Sequence, residues 1–166
     1  MAAVPSRKQV GAHSSKLWRD LLSRRAPLAA LNSYDPMERI ALVREGVPAE
    51  LVPVVAEEMA ITRERLYRTI GVPRATMDRK IRARQRLNPD ESERLLGIAR
   101  LVGQAEQMVR ESGEVEGFDA ARWVADWLET PLPALDGNRP AALMDTAEGR
   151  RMVSDLLAQL QSGAYA

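Results

Sequence analysis

The stretch Ile61-Thr-Arg-Glu-Arg-Leu-Tyr-Arg-Thr-Ile-Gly-Val-Pro-Arg-Ala-Thr-Met-Asp-Arg-Lys-Ile-Arg-Ala-Arg-Gln-Arg86 decides how the rest of the chain is read. It reads as two short helices broken at Gly71, the second densely basic. A tight helix-turn-helix needs a residue that tolerates a left-handed backbone at its turn, and glycine does so at least cost. Leu66 and Ile70 before the turn, with Val72 and Met77 after it, fall where two crossing helices bury a shared face. Arg74, Asp78, Arg79 and Arg82 then fall on the outer face.

Between Arg74 and Arg86 stand six basic residues and one acid, Asp78. That density suits a helix lying on phosphates, because each neutralised phosphate releases a condensed counterion; about four contacts give a log-log salt slope of about −3.6. The candidate DNA-binding residues are Arg74, Thr76, Arg79, Lys80, Arg82 and Arg84. Arginine can take guanine O6 and N7 with two parallel hydrogen bonds, and Thr76 can meet a phosphate or a thymine methyl. Two positions depart from the usual helix-turn-helix pattern. Tyr67 stands where the first helix has a small residue at the crossing, and Lys80 occupies a commonly apolar position, with Ile81 as its substitute. Charge runs are more often solvated faces than binding sites. Here turn, apolar spacing and basic face agree, which favours duplex DNA.

At 166 residues and 45% hydrophobic content the chain can bury a core in one domain or two small ones. Only 4% of residues are aromatic, and Ala, Leu, Arg and Glu dominate, so an all-α fold is expected. No apolar run approaches the ~18 residues of a membrane span and no signal-peptide core follows the N-terminus, so a cytoplasmic location and no membrane partner are expected. The absence of Cys excludes disulfides, thiolate zinc sites and a cysteine nucleophile. With a single histidine, His13, a Ser-His-Asp triad or multi-His metal site has little support. Glu57 with Glu58, and Glu114 with Glu116, read as solvated carboxylates, and no Gly-rich phosphate loop is present. No catalytic residue, metal or cofactor is therefore expected, and the chain does not read as an enzyme. The net charge of +1 hides a split: residues 1–35 carry +4, residues 36–90 carry +3 and residues 91–166 carry −6. One end suits DNA and the other a basic protein surface.

Along the chain, residues up to about Ser15 lack periodicity and are expected to be disordered. Leu17, Trp18, Leu21 and Leu22 give a short apolar face that Pro27 interrupts, with Trp18 as a packing anchor. Asp35-Pro36 opens a helix ending near Glu45 at Gly46, capped by Ser33 or Asp35. A further helix over Pro48 to Ala60 is expected, kinked or restarted at Pro53. Asn88-Pro-Asp-Glu91 predicts a capped start to a long helix whose apolar stripe runs from Leu95 to Val109. After a polar linker, Phe118 to Thr130 forms a helix, a short one reaches Met144, and a last helix is predicted from Asp145 with Glu148 as its capping-box partner. That helix carries Met152, Val153, Leu156, Leu157 and Leu160 on one face. The expected domains are an N-terminal extension (1–35), a helix-turn-helix and dimerisation domain (36–112) and a second helical domain (113–166).

Three runs carry a family resemblance: Thr76-Met-Asp-Arg-Lys with Leu87-Asn-Pro-Asp-Glu-Ser-Glu-Arg-Leu-Leu-Gly-Ile-Ala-Arg100; Trp127-Leu-Glu-Thr-Pro131; and Leu135-Asp-Gly-Asn-Arg-Pro140, Leu143-Met-Asp-Thr-Ala-Glu-Gly-Arg-Arg-Met-Val153 and Leu160-Gln-Ser-Gly-Ala-Tyr-Ala166. Over roughly residues 60 to 166 the chain resembles the Xre/ParS/MbcA antitoxins, partners of RES-fold toxins. The resemblance implies a repressor-like helix-turn-helix domain followed by a small toxin-binding domain that obstructs the toxin's NAD-binding pocket, and repression of the shared operon. Family toxins degrade NAD or use it to ADP-ribosylate a target. On this pattern Trp127, Pro140, Leu143, Asp145, Gly149, Arg150, Arg151, Gly163 and Tyr165 serve toxin binding. The implied partners are a cognate RES-domain toxin and operator double-stranded DNA, bound by a homodimer within a hetero-oligomeric complex. The alternative is a stand-alone dimeric transcriptional regulator with no toxin partner. Gly149 carries its own signal: in a first helical turn Ala is ~1 kcal/mol better, so a close backbone approach is expected to compensate.

Overall fold

The computed structural model describes residues 7–113 and 116–161. Its helices are α1 (Arg7–Leu22), α2 (Pro36–Glu45), α3 (Leu51–Glu58), α4 (Arg63–Thr69), α5 (Arg74–Arg82), α6 (Pro89–Glu111), α7 (Ala120–Leu128) and α8 (Ala147–Gln161). Short 3-10 turns lie at Leu28–Ser33, Pro133–Leu135 and Pro140–Leu143. The described residues hold no strand, in keeping with the all-α reading. An isolated antiparallel bridge joins Pro48 to Arg86, with Leu87 N donating to Val47 O at 2.8 Å and Ala49 N to Gln85 O at 3.0 Å. It straps the approach to α3 against the exit of α5.

Local capping chemistry starts the two best-marked helices. At α2 the Asp35 carboxylate accepts from Glu38 N and the Glu38 carboxylate from Asp35 N, with Pro36 at the first position. At α6, Asn88 and Glu91 make the same reciprocal pair, with Pro89 following the cap. Each box satisfies two N–H groups that the helix cannot.

Three boundaries differ from the sequence expectation. α1 begins at Arg7, where disorder was expected to about Ser15, because Leu17, Trp18 and Leu21 bury against α2 and α3 and tertiary packing extends the helix. α3 restarts at Leu51 with Pro53 in its first turn, where its missing N–H would have had no intrahelical acceptor. α8 starts at Ala147, not Asp145: Thr146 Oγ1 accepts from Gly149 N at 3.0 Å, so the hydroxyl caps the helix.

α6 is the spine. The Leu28–Ser33 turn, α2, α7 and α8 all pack on it, and one continuous apolar core runs from Leu17 to Leu157. Gly103 gives the Leu28–Ser33 turn its seat, since an added Cβ would collide with the Asn32 amide. The helix-turn-helix and the C-terminal helices therefore share a core, as the breadth of the Leu95–Ala105 stripe predicts.

Candidate functional site

α4 and α5 meet across the turn that the opening sequence predicts. Gly71 adopts φ +63°, the left-handed conformation glycine tolerates best. Leu66, Ile70, Val72 and Met77 are buried, and Ile81 packs against the same core from α5. Each such side chain contributes roughly 1.5–3 kcal/mol on leaving water. Tyr67 is also buried, and its hydroxyl donates to Asp78 Oδ1 at 2.9 Å. The phenol thus replaces close helix contact with a tie between the two helices, which accounts for a large residue at the crossing. Burial first, then the bond to Asp78, pushes its pKa up to about 12. The Asp78 carboxyl is held below its ordinary value by the Tyr67 hydroxyl and by Arg74.

The basic face is partly pre-engaged. Arg74 is exposed and pairs with Glu64 at 3.4 Å and Asp78 at 3.3 Å. Arg79 donates to Gln85 Oε1 at 3.3 Å, while Arg82 and Arg84 are exposed and Thr76 is half-buried. Arg84 sits just past α5 at φ +49°. Lys80 stands apart from the others. It turns inward to form an ion pair with Glu91, the side chains being 13% and 10% exposed. Its position explains this, because it lies three residues after buried Met77 and so shares the inward side of α5. The structure therefore leaves Arg74, Arg79, Arg82 and Arg84 exposed along α5 and just past its end, and takes Lys80 into the interior.

The residues assigned to the second surface divide in the same way. Trp127 is buried in α7 and stacks on Trp123, ring centroids 6.1 Å apart and planes 8° from parallel, with Phe118 next in line at 6.2 Å. Pro140 is buried and Leu143 half-buried. Gly149 is buried because the Leu143 carbonyl lies against it, an added Cβ falling 2.8 Å from that carbonyl carbon. The close backbone approach expected for this glycine thus comes from within the chain. Arg150 crosses α6 at Gly97, where an added Cβ would lie 2.8 Å from Arg150 Cδ. Its guanidinium donates to Met144 O at 3.1 Å and lies 3.9 Å from Glu93. Asp145 and Arg151 are exposed, Arg151 pairing with Glu148 at 2.6 Å. Gly163 and Tyr165 lie outside the described residues.

Sequence reasoning passed over Met152 and Leu160. They share one apolar face of the last helix with Val153, Leu156 and Leu157, yet they are 44% and 37% exposed, while Val153 and Leu157 are buried. The signal was present: the five apolar residues of α8 sweep about 140° of the helix, more than the about 100° stripe that one core contact covers. Between α2, α6 and α8, on a face of α8 that holds neither of them, runs a groove of about 730 Å³. Its titratable lining consists of five arginines with Glu93 and Asp155, a composition that fits binding. Among the described residues no cluster of His, Cys, Asp or Glu fits a metal ion.

Two family models match consecutive stretches of the chain. An antitoxin Xre-like helix-turn-helix domain covers residues 38–100, and an antitoxin Xre/MbcA/ParS C-terminal toxin-binding domain covers residues 104–163. A Prs ADP-ribosylating antitoxin from Sphingobium sp. (strain YBL2) is 43% identical over 137 residues, 82% of this chain and 86% of the relative. Antitoxin Xre of Yersinia enterocolitica is 24% identical over 74% of this chain and 78% of its own length. Antitoxin Xre of Pseudomonas putida is 28% identical over 55% of this chain and 52% of its own.

Proposed function

This chain belongs to the Xre/MbcA/ParS antitoxin family, and on that premise we propose that it neutralises a cognate RES-fold, NAD-consuming toxin by occluding its active site, and represses its own operon. The observation that carries the reading is the uncovered apolar pair Met152 and Leu160 on α8, in a domain whose other apolar residues are largely packed. An apolar patch flanked by charge marks a protein interface. Neutralisation on this reading is binding: α8 and the turn before it close the toxin's pocket mouth, and no bond is made or broken by the antitoxin.

The name of the Sphingobium relative couples an antitoxin to ADP-ribosylation of Prs. Carried over to this chain, it favours a toxin that spends NAD on modifying a protein over one that degrades NAD. Repression rests on Arg74, Arg79, Arg82 and Arg84, whose exposed guanidinium groups suit the phosphates and base edges of an operator. Exposed Met37 and Ile40 on α2 supply the contact for a homodimer, which would set two recognition helices about 34 Å apart on DNA. We assign DNA binding and dimerisation to residues 36–112 and toxin binding to 113–166, with α6 common to both.

The test is to induce the neighbouring reading frame in cells with and without this chain in trans, following growth, cellular NAD and ADP-ribosylated protein. Growth arrest with new ADP-ribosylated protein, both reversed by this chain, supports the reading. No arrest on induction refutes it and favours the stand-alone dimeric regulator.

A further inference from the structure

The stretch bearing Pro140, Leu143, Asp145 and Arg150 is seated on the helix-turn-helix. At the turn, Asp145 lies so close to Gly71 that a Cβ added to the glycine would fall 2.7 Å from the Asp145 Cβ. α6 holds the same turn beside Asp145, Arg94 Nη1 lying 3.1 Å from that same added Cβ: Nη1 donates to the carbonyls of Ile70 at 3.2 Å and Gly71 at 3.1 Å, and Nη2 to Asp90 at 2.6 Å. At the first turn of α4, Arg65 donates to the Ala125 carbonyl of α7 and pairs with Glu129 at 3.4 Å. Glu129 in turn pairs with Arg139 at 3.1 Å, the residue immediately before Pro140. At the far end Arg150 folds back on Met144 O within the stretch and meets α6 at Glu93, 3.9 Å away, and at Gly97. Residues 139–150 are thus pinned at both ends, and their middle rests on the turn.

We infer that residues 139–150 form a latch on the helix-turn-helix, so that a partner seated on this stretch changes DNA binding within a single chain, without bridging two chains. The inference deepens the antitoxin reading and rests on it for the identity of the partner. Helices of 7 and 9 residues cannot hold their crossing angle alone. Here the angle is held by the buried Leu66, Ile70, Val72 and Met77, by the Tyr67–Asp78 bond, and by Asp145 and Arg94 meeting at Gly71, and displacement of Asp145 removes one of these supports. By linkage the effect is reciprocal: DNA bound to α5 alters affinity for the partner by the same factor.

Two amides report the state of the turn, Gly71 N donating to Arg68 O at 3.2 Å and Val72 N to Tyr67 O at 3.0 Å. Hydrogen exchange over residues 66–77 of the full chain is compared in wild type, Asp145→Gly, Arg139→Gln and, as a control at an exposed position of α8, Ala158→Ser. The expected result is exchange about fivefold faster at the turn in Asp145→Gly and Arg139→Gln, with α6 still protected, and no change in Ala158→Ser. Affinity for a mixed-sequence 24-base-pair duplex at low salt is expected to fall about threefold to tenfold in the first two variants only. Turn exchange unaltered in both latch variants overturns the latch. So does equal acceleration in Ala158→Ser, which would make the effect unspecific. Failure of the purified neighbouring toxin to bind wild-type chain refutes the antitoxin reading instead, and leaves the exchange result to decide the latch.

Discussion

Lys80 offers the sharpest separation of folding from DNA binding, because it sits within a basic run yet points into the protein. Replacing it by Met keeps the stem's packing and removes the charge opposite Glu91. Orphaning a buried ion costs about 3–5 kcal/mol. Glu91 retains a bond from Asn88 N at 2.9 Å and lies at the N-terminus of α6, where a negative charge is favoured. The net loss is therefore set at about 2 kcal/mol, which for a chain of this size lowers Tm by about 4–8 °C. Urea unfolding measures it. Because Lys80 touches no phosphate on this account, the salt slope of duplex binding stays at its wild-type value. Arg79→Ala is the reciprocal case: the slope becomes shallower by about 0.9, and stability stays within about 0.5 kcal/mol. Adding Glu91→Gln to Lys80→Met should recover much of the loss, since removing both charges leaves no unpaired ion. A Lys80→Met protein of wild-type stability with a slope shallower by about 0.9 would refute the inward placement.

Gly149→Ala gains about 1 kcal/mol in helix propensity but drives a Cβ into the Leu143 carbonyl; overpacking wins, and thermal unfolding should show a net loss of about 2 kcal/mol. An increase in Tm would contradict the packing. Tyr67 holds its proton more tightly folded, with a pKa of about 12, than unfolded, at about 10, so its contribution is present below about pH 10 and lost as pH climbs towards about 12. The unfolding free energy from urea titration should fall by about 1.4 kcal/mol more in wild type than in Tyr67→Phe between pH 8 and 11. Met152→Glu places a charge in the proposed toxin interface and should weaken toxin binding by over about a hundredfold, with Tm unchanged; titration calorimetry checks it, and undiminished affinity removes α8 from the interface.

Signals confined to a few residues were legible, and those depending on distant partners were not. The caps at Asp35 and Asn88, the left-handed Gly71 and the long apolar stripe of α6 are local patterns whose cause and effect lie within a turn or two. The inward turn of Lys80 depends on Glu91, eleven residues on and across a change of direction. Arg150 reads in sequence as an exposed charge, but its conformation is set by Gly97 on α6, fifty-three residues away. The cap of α8 falls one residue later than the sequence suggests, for a chemical reason. Asp145 and Thr146 are both good caps, and only the position of Asp145 against Gly71 leaves the role to Thr146.

The same division says where specificity can reside. Of the residues by which the C-terminal resemblance is recognised, Trp127, Pro140, Gly149 and Arg150 are spent on the domain's own geometry: a stacked indole, a buried turn, a backbone contact and a guanidinium tied to Met144 and Glu93. Side chains so occupied have little surface left with which to discriminate one partner from another. Met152 and Leu160 belong to the same runs but remain uncovered, next to exposed Arg151 and Asp155 on the same helix. A frame held by interior contacts and a surface free to vary can preserve the fold while partners differ. On this account a family assignment identifies the scaffold, and the exposed side of α8 is the surface we propose for the choice of toxin.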